Sequence, residues 1–281
     1  PELAPAWELH LQKLVLERRL TADCIAALGL LFSALSVPAH AADSAPRESI
    51  ATNPAAIASY ADLADLSGPA AVVVKAQIRK TAQVPPQRAA GLRPGWVRLY
   101  VEAKTEAVLG GRSALGEALR YLVDVPLDAK GKAPKFSKRS VILFARPVGD
   151  RTGELQLVAP DAQLLWDPAL ESRTKGILAE LYAPGAPQGV IGLREAIHVP
   201  GALAGEGETQ FFLATTSGDP AAISVSRAPG GEPRWSASFS ELVETGDPAP
   251  ARETLAWYRL ACFLPPQLPS GTNISASPER D

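Results

Sequence analysis

Residues 96–109 alternate in character without a break from Val97 onward. Val97, Leu99, Val101, Ala103, Thr105, Ala107 and Leu109 share one parity, and Arg98, Tyr100, Glu102, Lys104 and Glu106 share the other. Successive side chains on a β-strand point to opposite faces. The stretch therefore reads as one dry and one wet face of an antiparallel sheet. A strand of this length does not lie flat, so a bend or bulge is expected near its end. The 26 prolines and 22 glycines fit short strands joined by turns better than a helical bundle.

The segments around this strand read as its partners. Residues 54–66 form a short helix pattern, with Ile57, Tyr60, Leu63 and Ala64 on one face, stopped by Ser67-Gly68-Pro69. Strand patterns follow at 72–78, 119–125, 141–145 and 154–158, punctuated by Pro85-Pro86, Gly110-Gly111, 128–131 and Gly149-Asp150. Five strands with few helices suit a small closed or partly open barrel over residues 57–160. The succession of a helix, Ala71-Val72-Val73-Val74, a long strand ending in Leu109-Gly110, a short strand and Ser140-Val141-Ile142-Leu143-Phe144 resembles the OB-like β-barrels of exported bacterial proteins of unassigned function. That resemblance implies an OB-like five-stranded barrel. Where those proteins carry a glycine pair after the third strand, this chain has Asp124-Val125-Pro126-Leu127.

The second half, residues 161–266, reads as an α+β domain. Asp167-Pro168 supplies an N-cap and a proline at the first helical position, and Leu170, Ile177, Leu178 and Leu181 share a face. Ala183-Pro184-Gly185 ends that helix. Strand patterns at 190–199, 208–216, 222–227 and 234–240 then form a four-stranded antiparallel meander. A last helix, 252–264, carries Leu255, Tyr258, Ala261 and Cys262 on one stripe and Trp257, Leu260 and Leu264 on another, so it is expected to be buried. Residues 267–281 are polar and are expected to be a flexible tail. The whole is mainly β with α: a small barrel, then a helix, a meander and a buried C-terminal helix.

The N-terminal residues read as an address. Arg18-Arg19 precede an apolar run over 24–37, and Ala39-His40-Ala41 offers an Ala-x-Ala cleavage site. A basic region, an apolar core and small residues in that order make a secretory signal peptide, so 1–41 are expected to be an extension and signal and 42–56 a flexible leader. The run is shorter than the roughly 20 apolar residues of a membrane span. The expected location is the periplasm or the exterior, with no transmembrane segment after cleavage. Cleavage after Ala41 removes Cys24 and leaves Cys262 as the one cysteine, so the core is expected to hold without an internal disulfide.

A formal net charge of −2 provides no general field for a polyanion, and nucleic acid is not an expected partner. The most basic stretch is the loop bearing Lys130, Lys132, Lys135, Lys138 and Arg139, with Phe136 among them, and it is a candidate anion- or partner-binding loop. Tyr100 and Trp96 are the aromatics expected on the adjoining wet face. Gly111-Arg112-Ser113-Ala114-Leu115-Gly116 has one residue too many for a nucleophile elbow. Cys262 reads as packing, and no spacing of His, Cys or carboxylates argues for a metal or other cofactor. After cleavage His198 is the one remaining histidine, on the parity of Gly192, Arg194 and Ala196 and opposite Ile191, Leu193 and Ile197. The poverty of reactive side chains points to a non-enzymatic exported protein that binds a protein or glycan of the cell envelope or has a structural part there. The alternative is an envelope hydrolase or isomerase using His198 with Glu206 or Glu208.

Overall fold

The computed structural model describes residues 58–111, 113, 115–149, 151–240 and 248–275. The signal and leader expected at 1–56 lie outside these residues. The chain is mainly β with few helices. It carries antiparallel sheets of six and four strands and divides into two compact units, one ending at Tyr182 and one starting at Ala183.

The first unit opens with α1 (Tyr60–Ser67), which starts later than the sequence pattern suggests because Ser59 is extended and caps it. The Ser59 hydroxyl accepts from Asp62 N–H at 3.2 Å, and the Asp62 carboxylate accepts from Ser59 N–H at 2.9 Å, a capping box. Then come β1 (Val72–Gln83), β2 (Trp96–Gly111), β3 (Ala118–Pro126), β4 (Ser140–Pro147), β5 (Leu155–Leu157), β6 (Gln163–Leu165) and α2 (Pro168–Tyr182). The order is β3-β2-β1-β4-β5, with β6 also paired to β4. The sheet is not a closed barrel. Among the described residues its two ends are joined by an isolated parallel bridge between Arg120 and Glu154, with Arg120 N–H donating to Gly153 O, and by Asp124 N–H donating to Pro160 O.

Val97, Leu99, Val101 and Ala103 are buried, as the alternation predicts. The regular alternation then fails, because the β1–β2 ladder shifts register three times. Leu109 and Glu106 are extra residues on β2, and Arg79 is an extra residue on β1. Each bulge leaves one residue without a cross-strand partner and bends its strand. Past the bend, Val108 is half-exposed. Gly110 and Gly111 are structural at that end. A Cβ on Gly110 would stand 2.9 Å from Leu178, and one on Gly111 would overlap Ala71 O at a φ of +119°. Helix α2 thus lies on the sheet beside the bend, and β4 is buried along five consecutive residues where an exposed-faced strand would alternate. The sequence reading placed this helix with the meander. It belongs to the first unit, where Leu170, Ile177 and Leu178 join the core.

One face expected to be wet is not. Arg98 donates to both Asp124 oxygens, Nε to Oδ1 at 2.6 Å and Nη2 to Oδ2 at 2.8 Å. Asp124 is 5% exposed. The β1–β2 connection folds back over the pair, and Arg98 Nη1 also donates to Ala90 O. The hydrogen bond to Asp124 raises the Arg98 guanidinium above its already high ordinary pKa. Inside the sheet, Tyr121 Oη donates to Gln163 Oε1 at 2.7 Å, and burial drives the phenol far above its usual range.

The second unit is a four-stranded antiparallel meander, β7 (Val190–Pro200), β8 (Gly207–Thr215), β9 (Ala222–Arg227) and β10 (Arg234–Ser238), followed by α3 (Leu255–Phe263). Thr254 caps α3 by accepting from Trp257 N–H. Leu260 of α3 joins Val190, Phe211, Leu213 and Ile223 in one core. Leu255 and Tyr258 are also buried, whereas Cys262 is only half-buried, against the expectation of a buried thiol. Residues expected as a loose tail return to this unit. Leu268 packs on the core, and Thr272 and Ile274 hydrogen-bond to Ala196 of β7. Among the described residues no helix is long and apolar enough to cross a membrane.

The Arg98–Asp124 pair sets the first prediction. Arg98→Ala should cost about 3 kcal/mol, because it strands a buried carboxylate. The double variant Arg98→Ala/Asp124→Ala should lose no more than the single one. Leu99→Ala, on the inner face, should cost about 2–5 kcal/mol. Urea unfolding measures all of these, and additive losses at 98 and 124 would contradict the pairing.

Candidate functional site

Beyond the part of the sheet that α2 covers, the outer face of β1 and β2 forms an open cleft of about 670 Å³. Lys75 and Gln77 line it from β1, at alternate positions on one face of the strand, and Arg79 joins them from β1. Lys104 and Glu106 line it from β2, and Ser140 from the start of β4. Gln77 sits at the centre, paired across the strands with Lys104 on one side and Ser140 on the other. Two of these residues, Arg79 and Glu106, are bulge residues. A bulge re-aims the side chain it carries, and both of these open into the cleft.

The wall nearest α2 is a charged cluster around an aromatic ring. Strand β6 pairs with β4 and ends beside Trp166, whose backbone N–H donates to Ser140 O at 3.0 Å. Asp167 then caps α2, its Oδ1 accepting from Leu170 N–H at 2.9 Å, which is the start that Asp167-Pro168 predicts. One turn on, Glu171 accepts from Trp166 Nε1 at 2.6 Å and from Lys175 Nζ at 2.7 Å. Lys75 Nζ stands 3.6 Å above the Trp166 ring, a cation–π contact. It is also 3.7 Å from Glu171 and 4.0 Å from Glu106. The hydrogen bonds from Lys175 and Trp166 hold the Glu171 carboxyl below the usual carboxylate range, against a smaller opposing effect of burial.

The other end of the cleft is cationic. Lys104 pairs with Glu117 at 2.7 Å, where both side chains are well exposed. That contact, with the Arg79 charge adding to it, keeps Glu117 below its ordinary pKa. Arg79, Gln77 and Ser140 make no side-chain hydrogen bond or ion pair among the described residues.

The basic loop of the sequence reading meets this end only in part. Asp128 Oδ1 accepts from the backbone N–H groups of Lys130 and Lys132, so those two residues wrap a carboxylate. Phe136 is buried and is not a stacking platform. Lys135 is exposed on the loop. Lys138 and Arg139 pair through their backbones with Ile78, which places them beside Arg79 and Ser140. Of the expected wet-face aromatics, Trp96 carries the Arg93 guanidinium 3.5 Å above its ring, and Tyr100 is half-buried.

His198, Glu206 and Glu208 each make a contact within their own turn or strand pair. His198 Nδ1 lies 2.9 Å from Thr209 Oγ1, its cross-strand partner on β8. Glu206 Oε2 accepts from Leu203 N–H inside its own turn, and Glu208 Oε1 accepts from Gln210 Nε2. The parity argument for this strand also needs correction. Ile191, expected on the dry face, is 66% exposed, because β7 shifts register at two places before Ala196. Among the described residues no group of three or more His, Cys, Asp or Glu side chains is placed to hold a metal ion.

Sequence reasoning missed Lys75, Arg79, Trp166 and Glu171 as a group. The available signal was a tryptophan immediately before a helix start, with an acid in the first turn behind it. No protein-family model matches the chain, and no curated protein sequence matches it significantly.

A depressed carboxyl contributes stability above its unfolded pKa and loses it as pH falls through the lower folded value. Glu171 should therefore be a source of acid sensitivity below roughly pH 4. Urea midpoints measured from pH 6 downward should fall less steeply in Glu171→Gln than in the unaltered chain. Parallel curves would show that this carboxylate is not held by Lys175 and Trp166.

Proposed function

We propose that this chain is an exported, non-enzymatic binding protein of the cell envelope, acting in the periplasm or outside the cell, and that its ligand seats on the outer face of β1 and β2. One observation carries the binding half of this reading. Two bulge residues, Arg79 and Glu106, open into the same cleft as the Lys75–Trp166–Glu171 cluster. A bulge interrupts ladder hydrogen bonding, and bulges are over-represented where a side chain must be re-aimed beside a functional site. Export is supported by the order of Arg18-Arg19, the apolar run at 24–37 and Ala39-His40-Ala41. A role without catalysis is supported by the local engagement of Glu206, Glu208 and His198, each turned to a neighbour in its own turn or strand pair.

We also read the six-stranded unit as an OB-like barrel left open. The strand order supports this, as does the parallel bridge that brings the two ends of that order together. OB folds carry ligands on a sheet face, which for this chain is analogy and adds no ligand identity.

Two measurements test the proposal. Expressed with its full N-terminal sequence in a bacterial host, the chain should be recovered from the envelope fraction with Ala42 as its first residue. An uncleaved cytoplasmic product would contradict export. Titration of the labelled protein with soluble envelope polysaccharide fragments should shift the amide resonances of residues 75–79, 104–107 and 140. Shifts confined to residues 190–238 would contradict the placement of the site.

A further inference from the structure

Resting on the reading of this cleft as a binding site, we infer that its ligand is a short oligosaccharide bearing carboxylate groups, held at one end by Arg79 and walled at the other by Trp166. Three features of the cleft lead to this class. The first is the unpaired guanidinium. Arg79 is exposed, lines a concavity and makes no ion pair among the described residues. A guanidinium presents a planar fork that matches a carboxylate with two parallel hydrogen bonds. Lys104 stands beside it, and its present partner Glu117 is 74% exposed, so a ligand anion replaces that contact without burying a charge.

The second feature is the floor. Gln77 and Ser140 are half-buried, face the cleft and make no side-chain hydrogen bond among the described residues. An amide and a hydroxyl each donate and accept, which suits sugar hydroxyls that do the same. Glu106 adds an acceptor. The third feature is extent. Lys75 and Arg79 are four residues apart on one strand, about 13 Å. The cleft is therefore longer than one sugar ring, and its two ends differ, one cationic and one aromatic.

The same residues disfavour a nucleic acid. A phosphate chain carries one charge per nucleotide, and Glu106 and Glu171 would oppose it at the Trp166 end. Base stacking needs an open aromatic face, and the Trp166 ring already carries Lys75 Nζ at 3.6 Å. A sugar acid presents hydroxyls beside its carboxylates, and these donate to both acids; it also needs no open aromatic face.

Calorimetric titration with tetragalacturonate, its fully methyl-esterified form and an oligothymidylate tests the inference. Tetragalacturonate should bind saturably, and the ester, which has the same rings without the charge, at least tenfold more weakly. Arg79→Gln should weaken the acid at least tenfold, weaken the ester by much less, and leave the melting temperature unchanged. Equal binding of acid and ester, with amide shifts still at 75–79 and 140, would overturn the charge preference while sparing the site. Acid binding with shifts elsewhere would overturn the site as well. No saturable binding of tetragalacturonate, an unaltered affinity in Arg79→Gln, or tighter binding of the oligothymidylate would each overturn the inference.

Discussion

The first unit depends on the ladder between β1 and β2. These are its two longest strands, and every other strand of the sheet joins them directly or through β4. The ladder is anchored by an inner row of buried residues, Val74, Ala76 and Ile78 on one strand and Leu99, Val101 and Ala103 on the other. Burial of a valine, leucine or isoleucine side chain is worth roughly 1.5–3 kcal/mol, and of an alanine methyl less. That row fixes which face is inside, because a slip of one residue would turn the whole row outward. The register therefore tolerates extra residues only as bulges, and it carries three.

Those bulges divide the outer face into two regions. At the far end, the shifts at Leu109 and Glu106 bend β2 toward α2, and Gly110 and Gly111 let helix and chain approach closely. At the near end, Arg79 leaves the ladder beside Lys104 and Ser140. Between the two lies the cleft, with Trp166 and Glu171 delivered to its edge by β6 and the first turn of α2. The Trp166 end is satisfied within the protein, through Lys75, Glu171 and Lys175. At the other end Lys104 pairs with the well-exposed Glu117 while Arg79 makes no ion pair among the described residues, and this difference gives the cleft a direction.

Much of the fold was legible because strand period and turn chemistry are local. The alternation of 97–103, the Asp167-Pro168 helix start and the turns of the meander all appear where the residues put them. The bulges were not legible. The parity of Thr105, Ala107 and Leu109 continues through residues that no longer share a face, since a bulge changes pairing without changing composition. The same blindness misplaced Ile191 on β7. Arg98 looked solvated because it is charged and on the outward parity, yet the connection that leads into its own strand folds back over it and its partner Asp124. The barrel reading failed at closure: the patterns at 119–125 and 154–158 mark strands at both ends of the sheet, but pattern does not say whether two such ends pair, and here they meet at an isolated bridge and not in a ladder. The candidate site was legible only at its margin. Lys138 and Arg139 belong to the basic loop and border the cleft, while Trp166 sits after a three-residue strand too short for any periodicity to mark.

The central claim is that the Arg79 bulge arms the cleft and is not needed to hold the sheet. Deleting Arg79 alone would bring Ile78 and Lys80 into the regular register already set by Ala103 and Glu102. The most direct test is the thermal unfolding of that deletion variant by calorimetry. The account predicts the same number of transitions as the unaltered chain, with the first unit's melting temperature at or above its value there. A fall of more than about 5 °C, on the order of 1 kcal/mol or more for a unit of this size, or loss of cooperativity, would show that the extra residue is part of the fold and would contradict the claim.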